Sequence, residues 1–177
     1  MTADKKVLLA IDCLKHAIDD SQQTIRGYDS KAEVLAVLLT LAIGLTNFNL
    51  YADLSAIGKY ILMVAWLFSL VAIWMLGLVL YPQKNQFKSI RMGTFTPKGT
   101  YYLHSLNDSP ENTVAAIAVK VLDTSWVEEL TYEVMKLSVI RDKKHNWFLR
   151  ALRLTAIALL LIIITLIFGL LCDKNIS

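Results

Sequence analysis

Apolar positions in this chain fall into two kinds of run. In three stretches, residues 34–51, 60–81 and 154–172, they cover every face of a helix. Residues 3–31 differ: Val7, Ile11, Leu14, Ile18, Ile25 and Tyr28 recur at steps of three, four and seven among charged neighbours. That spacing predicts an amphipathic helix with a heptad stripe, interrupted only by Ser21. It serves either to oligomerise the chain or to pack on another cytoplasmic helix of the same chain.

The three apolar runs read as membrane spans. The last, LTAIALLLIIITLIFGLLC, has 19 residues without a charge. A hydrocarbon core of ~30 Å needs ~20 helical residues. The second has 22 uncharged residues, with Tyr60 and Tyr81 at its ends and Pro82 to stop it. The first, 18 residues, is interrupted by Thr40, Thr46, Asn47 and Asn49. The link at residues 52–59 makes the first two runs a helical hairpin.

Between the second and third runs lie all three prolines, Pro82, Pro97 and Pro110. Residues 89–95 and 100–104 flank Thr96-Pro97-Lys98-Gly99, a tight-turn sequence that predicts a short β-hairpin. Ser109-Pro110 is a helix-start signal. Ser125-Trp126-Val127-Glu128 is a capping-box pattern, so a second helix is expected from Trp126 into the third span.

Composition agrees with this reading. Of the 177 residues, 55% are hydrophobic and 19% charged; the mean hydropathy is +0.49. A soluble core of this size cannot bury so much apolar surface. Lys5, Lys6, Lys15, Arg26 and Lys31 precede the first span, and eleven more Lys and Arg lie in residues 83–153. Sixteen of eighteen thus fall on one side, which places the N-terminus and the long connection in the cytoplasm and the C-terminus in the periplasm or outside. No secretory signal peptide is expected in the polar residues 1–31.

Chemistry is sparse. His16, His104 and His145 are scattered, Cys13 and Cys172 form no CxxC pair, and no glycine loop suits a phosphate. The chain is expected not to be an enzyme, and to use no cofactor and no metal. Three constellations remain. Asp29 and Glu33, four apart at the mouth of the first span, would form acidic rings in a symmetric oligomer or pair with Arg26 and Lys31. Glu33, Thr40, Gly44 and Asn47 make one polar stripe of the first span, for a water-filled path or for packing. Lys84, Lys88, Arg91, Phe95, Lys98, Tyr101, Tyr102 and His104 interleave cations with rings. That combination binds single-stranded nucleic acid or nucleotides, or belongs to an ordinary hairpin. Arg141, Lys143, Lys144, Arg150 and Arg153 read as anchors to lipid headgroups, and the third span as facing lipid.

The run IRGYDSKAEVLAVLLTLAIGL, residues 25–45, resembles the start of the Pycsar-effector-type transmembrane domain, with Asp29, Lys31 and Ala32 as its Asp-x-Lys-Ala core. LTYEVMKLSVIRDKKHNWFLRALRL, residues 130–154, is similar to the basic helix entering that family's last span. The resemblance covers residues 20 to 172 and implies a bacterial antiphage membrane effector. A chain of this size also resembles the membrane effector of Hailong-type systems. There a partner nucleotidyltransferase makes DNA oligomers that hold a channel shut.

The expectation is an all-α membrane protein of three transmembrane helices, a small cytoplasmic helical bundle and a short β-hairpin. Its parts are a cytoplasmic helix (1–31), a membrane hairpin (32–81), a cytoplasmic insert (82–146) and a third span with an external tail (147–177). The expected function is a homo-oligomeric inner-membrane channel, a tetramer by preference, that depolarises the cell in abortive infection. A cytoplasmic DNA oligomer or cyclic nucleotide, supplied by a partner nucleotidyltransferase or cyclase, would gate it. The alternative is a non-conducting membrane anchor or scaffold that recruits a soluble partner.

Overall fold

The structure, a computed structural model, describes residues 3–46, 54–81, 96, 118–119 and 121–173. Three long helices dominate: α1 (Ala3–Leu45), α2 (Ala56–Leu80) and α3 (Trp126–Asp173). Among the described residues there is no strand. The expected hairpin at 89–104, apart from residue 96, and the helix start at Ser109-Pro110 lie outside them.

The ends of the helices follow local chemistry. α1 stops at Leu45, within the first apolar run. There the Thr46 amide donates to the Ile43 carbonyl at 3.1 Å and its hydroxyl donates to the same oxygen at 2.8 Å. Such a side chain competes with the helical ladder. Residues 34–45 of the run are therefore helical, and 47–53 lie outside the described residues. α2 starts at Ala56, inside the expected link, because Ser55 caps it: the Gly58 amide donates to the Ser55 hydroxyl oxygen at 3.3 Å. It ends at Tyr81, whose extended φ of −67° and ψ of 131° suit a residue that precedes proline. α3 begins at Trp126 as the capping-box pattern predicts, with Glu128 and Glu129 in its first turn, where the helix dipole favours acids.

The chain divides into two compact units. One comprises Met1–Ile25 with Gln83–Arg141, the other Arg26–Pro82 with Asp142–Ser177. In the first, Ile18, Leu130 and Leu137 form a buried core, lined by Ile11, Leu14, Ile25 and Val134. Of the N-terminal stripe, Ile18 is buried in this core and Ile11, Leu14 and Ile25 are half-buried against it, whereas Val7 is exposed. Ser21, the apparent gap in the stripe, is buried too.

In the second unit, α2 buries Gly58, Leu62, Ala65, Ser69, Ala72, Leu76 and Val79, alternating steps of four and three. α3 buries Ala151, Thr155, Ala158, Ile162 and Thr165 on the same rhythm. Both are 3.5-residue seams, the pattern of helices that pack at a shallow left-handed angle. Ala32, Leu39, Ala72, Leu76, Val79, Ala151 and Ala158 make one cluster. Alanines let helix backbones approach closely. The Trp66 indole N–H donates to the Thr46 hydroxyl oxygen at 2.9 Å and ties the end of α1 to α2.

The apolar part of α3, expected to face lipid, has one packed face and one exposed face. Its two threonines, Thr155 and Thr165, belong to the packed face, while Leu160, Ile163, Ile167 and Phe168 are exposed. Two described helices are long and apolar enough to cross a membrane, α2 and α3, and 28% of each apolar window is buried. A core helix of a soluble protein would be mostly buried, whereas these two leave most of their apolar windows exposed.

Candidate functional site

Four polar residues of the second unit meet near where α1 and α3 change from charged to apolar. α1 carries no charge beyond Glu33, and α3 carries none between Arg153 and Asp173. Just before these borders, two neighbours on α1 meet two neighbours on α3. Lys144 donates to the Asp29 carboxylate in a salt bridge, the lysine side chain 7% exposed and the aspartate 32%. The Tyr28 hydroxyl and Nδ1 of His145 are hydrogen-bonded at 2.9 Å. The Tyr28 ring also lies 5.6 Å from the His145 ring and 5.7 Å from Phe148, centre to centre. A charge-assisted bond of this kind contributes about 1.5–3 kcal/mol, more than a neutral one.

This clasp corrects two expectations. Asp29 pairs with Lys144 across the helices, not with Arg26 or Lys31 on its own helix. Lys144 in turn is not a headgroup anchor, because it is buried and committed to Asp29. Of the other basic residues, Arg150 lies over the Trp147 ring at 5.3 Å, and Arg153 is exposed. The clasp was legible only in part. Tyr28-Asp29 and Lys144-His145 are complementary dipeptides, but 115 residues separate the charged partners.

The polar stripe is at the surface. Glu33, Thr40 and Gly44 are exposed, and a Cβ added at Gly44 would meet nothing within 4 Å. The Thr40 hydroxyl donates to the Ala36 carbonyl at 2.8 Å, so it is satisfied within its own turn. Glu33 has no ion pair among the described residues. α1 packs through Ala32 and Leu39 instead, on a different face. Glu33, Thr40 and Gly44 are therefore not part of the packing within the chain. Asn47, its fourth member, lies outside the described residues. So do Lys84, Lys88, Arg91, Phe95, Lys98, Tyr101, Tyr102 and His104, the residues expected to bind a ligand. No group of three or more His, Cys, Asp or Glu residues that could hold a metal occurs among the described residues.

Apolar helices of spanning length, seams of small residues and a charged clasp at the border of the apolar segments define a helical membrane protein. The chain belongs to the Pycsar effector protein domain family, which it matches over residues 13–171. It is a Pycsar-type antiphage membrane effector. No curated protein and no solved structure matches the chain.

Proposed function

We propose that this effector is a homo-oligomeric channel of the bacterial inner membrane, closed until a cytoplasmic ligand changes state. It acts as a conduit and not as a catalyst. The observation that carries the reading is the exposed stripe of Glu33, Thr40 and Gly44 on a helix entering the membrane. A carboxylate facing hydrocarbon is costly, so such a face belongs on water or on a partner helix. Three helices are too few to enclose a water-filled path, which assigns the path to a symmetry axis. We favour a tetramer with α1 innermost and residues 34–51 as a third span. Lysine and arginine placement supports a cytoplasmic N-terminus and a periplasmic C-terminus.

The family is one of cyclic-nucleotide signalling, so a cyclase or nucleotidyltransferase is the expected source of the ligand. Lys84, Lys88, Arg91, Phe95, Lys98, Tyr101, Tyr102 and His104 supply phosphate and base contacts in this reading. The ligand is a short single-stranded DNA oligomer or a cyclic nucleotide, and its binding weakens steeply as salt rises. It shifts the gate only to the extent that it prefers one state.

Ion flux from liposomes containing the purified protein tests the reading. Thr40→Leu and Asn47→Leu should change the conductance, whereas Leu160→Ala and Ile163→Ala should leave it near wild type. No flux from intact oligomers under any ligand would favour the scaffold. Loss of flux from the α3 changes, with the α1 changes silent, would move the pore elsewhere.

A further inference from the structure

On a helical wheel of ~100° per residue, α1 shows three faces after residue 29. Ala32 and Leu39 pack inward, and Glu33, Thr40 and Gly44 lie on one flank. Val34, Leu38, Leu41 and Leu45 lie on the opposite flank, and all four are exposed. At the charged end of that apolar flank is a groove of about 390 Å³ between α1 and α3. Ser30, Lys31, Val34, Leu35, Phe148 and Leu152 line it. Its wall is apolar except at one end, where Lys31 is exposed and has no ion pair among the described residues. Glu33, the nearest exposed carboxylate on α1, is on the other flank.

We infer that this groove holds one anionic phospholipid, its phosphate on Lys31 and Ser30 and an acyl chain along Val34, Leu35, Phe148 and Leu152. Three observations converge on that occupant. The groove lies at the border where both helices lose their charges, the depth of the headgroup boundary. It opens onto a helix flank that is apolar for three further turns. Its one cation suits a phosphate, as basic pockets between membrane helices do on the cytoplasmic side. Each methylene buried there adds to the affinity. The lipid wedges α1 against α3 one turn from the Tyr28–His145 and Asp29–Lys144 contacts, so it steadies the clasp from the membrane side. The inference rests on membrane insertion and not on conduction, so a scaffold that conducts nothing would leave it standing.

Native mass spectrometry of the full-length protein tests it, with phosphatidylglycerol and phosphatidylcholine of equal chain length offered in mixed micelles. Wild type should retain phosphatidylglycerol in preference to phosphatidylcholine. Lys31→Gln should lower that retention about fivefold, the worth of one lysine near an anionic surface. Leu152→Trp and Val34→Trp fill the groove from either helix and should each displace the lipid. Two such variants, each checked for wild-type helix content, keep the test valid if one misfolds. Lys15→Gln removes an exposed cation of α1 outside the groove and should retain the lipid. Equal loss from Lys15→Gln would mean unspecific attraction and overturn the proposal. So would a wild type that retains no lipid. A changed oligomer mass in Leu152→Trp with lipid retention intact would assign the groove to a second copy and overturn it as well.

Discussion

The two units use the same heptad rhythm, and the second adds small residues to the large ones. The unit built on Ile18, Leu130 and Leu137 places large aliphatic side chains in its seam, with Ile11, Leu14, Ile25 and Val134 around them. Asp12, Cys13, Asp19 and Asp20 are exposed beside it, although Val7, Leu8 and Leu9 near the N-terminus are exposed too. The unit built on Ala32, Ala72, Ala151 and Ala158 mixes sizes. Its seam alternates Gly58, Ala65, Ser69, Thr155 and Thr165 with the larger Leu39, Leu62, Leu76, Val79 and Ile162, and its outer surface carries Leu67, Leu70, Trp74, Ile163 and Phe168. The difference is one of solvent. In water, transfer of apolar area drives helices together, at about 25 cal/mol per Å², so bulky residues go inside. In hydrocarbon that gain vanishes, and close backbone approach with van der Waals contact takes its place.

The comparison has a topological test of all-or-none size. Cys13 is exposed in the water-type unit. In spheroplasts an impermeant thiol reagent should leave Cys13 unlabelled until the membrane is permeabilised, and should reach Cys172 in a Cys172-only variant. Labelling of Cys13 in intact spheroplasts would reverse the orientation.

The next largest effect separates the seams. Ile18→Ala removes a fully buried side chain and should destabilise the first unit by about 2–5 kcal/mol. Leu67→Ala, on the outer surface of α2, should change stability by less than ~0.5 kcal/mol in detergent. Chemical denaturation followed by circular dichroism reads both. Similar costs would mean that the Leu67 face is packed as tightly as the Ile18 core.

Overpacking sharpens the contrast further. Ala72→Leu inserts bulk into the small-residue seam and should cost about 1–3 kcal/mol. Ser21→Leu fills a buried step of the aliphatic stripe and should be tolerated better. Thermal unfolding of the two variants decides it.

The clasp gives effects no larger than overpacking does. Lys144→Ala leaves Asp29 without its cation and should cost ~1–3 kcal/mol, whereas Tyr28→Phe loses only a neutral hydrogen bond, ~0.5–1.5 kcal/mol. A double-mutant cycle of Asp29→Asn with Lys144→Met should show a coupling of about 0.5–3 kcal/mol. Strict additivity would remove the salt bridge from the energetics.

Periodicity and composition by themselves determined much of this protein. They specified helices, the start of α3 at Trp126 and the uncharged faces of α2 and α3; the family came from the resemblance of residues 25–45 and 130–154 to the Pycsar-effector-type transmembrane domain. These are local properties: caps act within one turn, and hydropathy acts between one residue and its solvent. Tertiary structure decided the rest. The step from Ile18 to Ile25 read as an interruption, because burial of Ser21 depends on the helix opposite it. Thr155 and Thr165 read as incidental relief on a lipid-facing span, and they are part of its packed face. Asp29 has cations two and three residues away, yet pairs with Lys144. Helical geometry turns Lys31 away from it, and the packing of α1 on α3 brings in a partner from 115 positions along the chain. Which charge meets which, and which face of an apolar helix meets protein instead of lipid, are relations between segments, so no single segment encodes them.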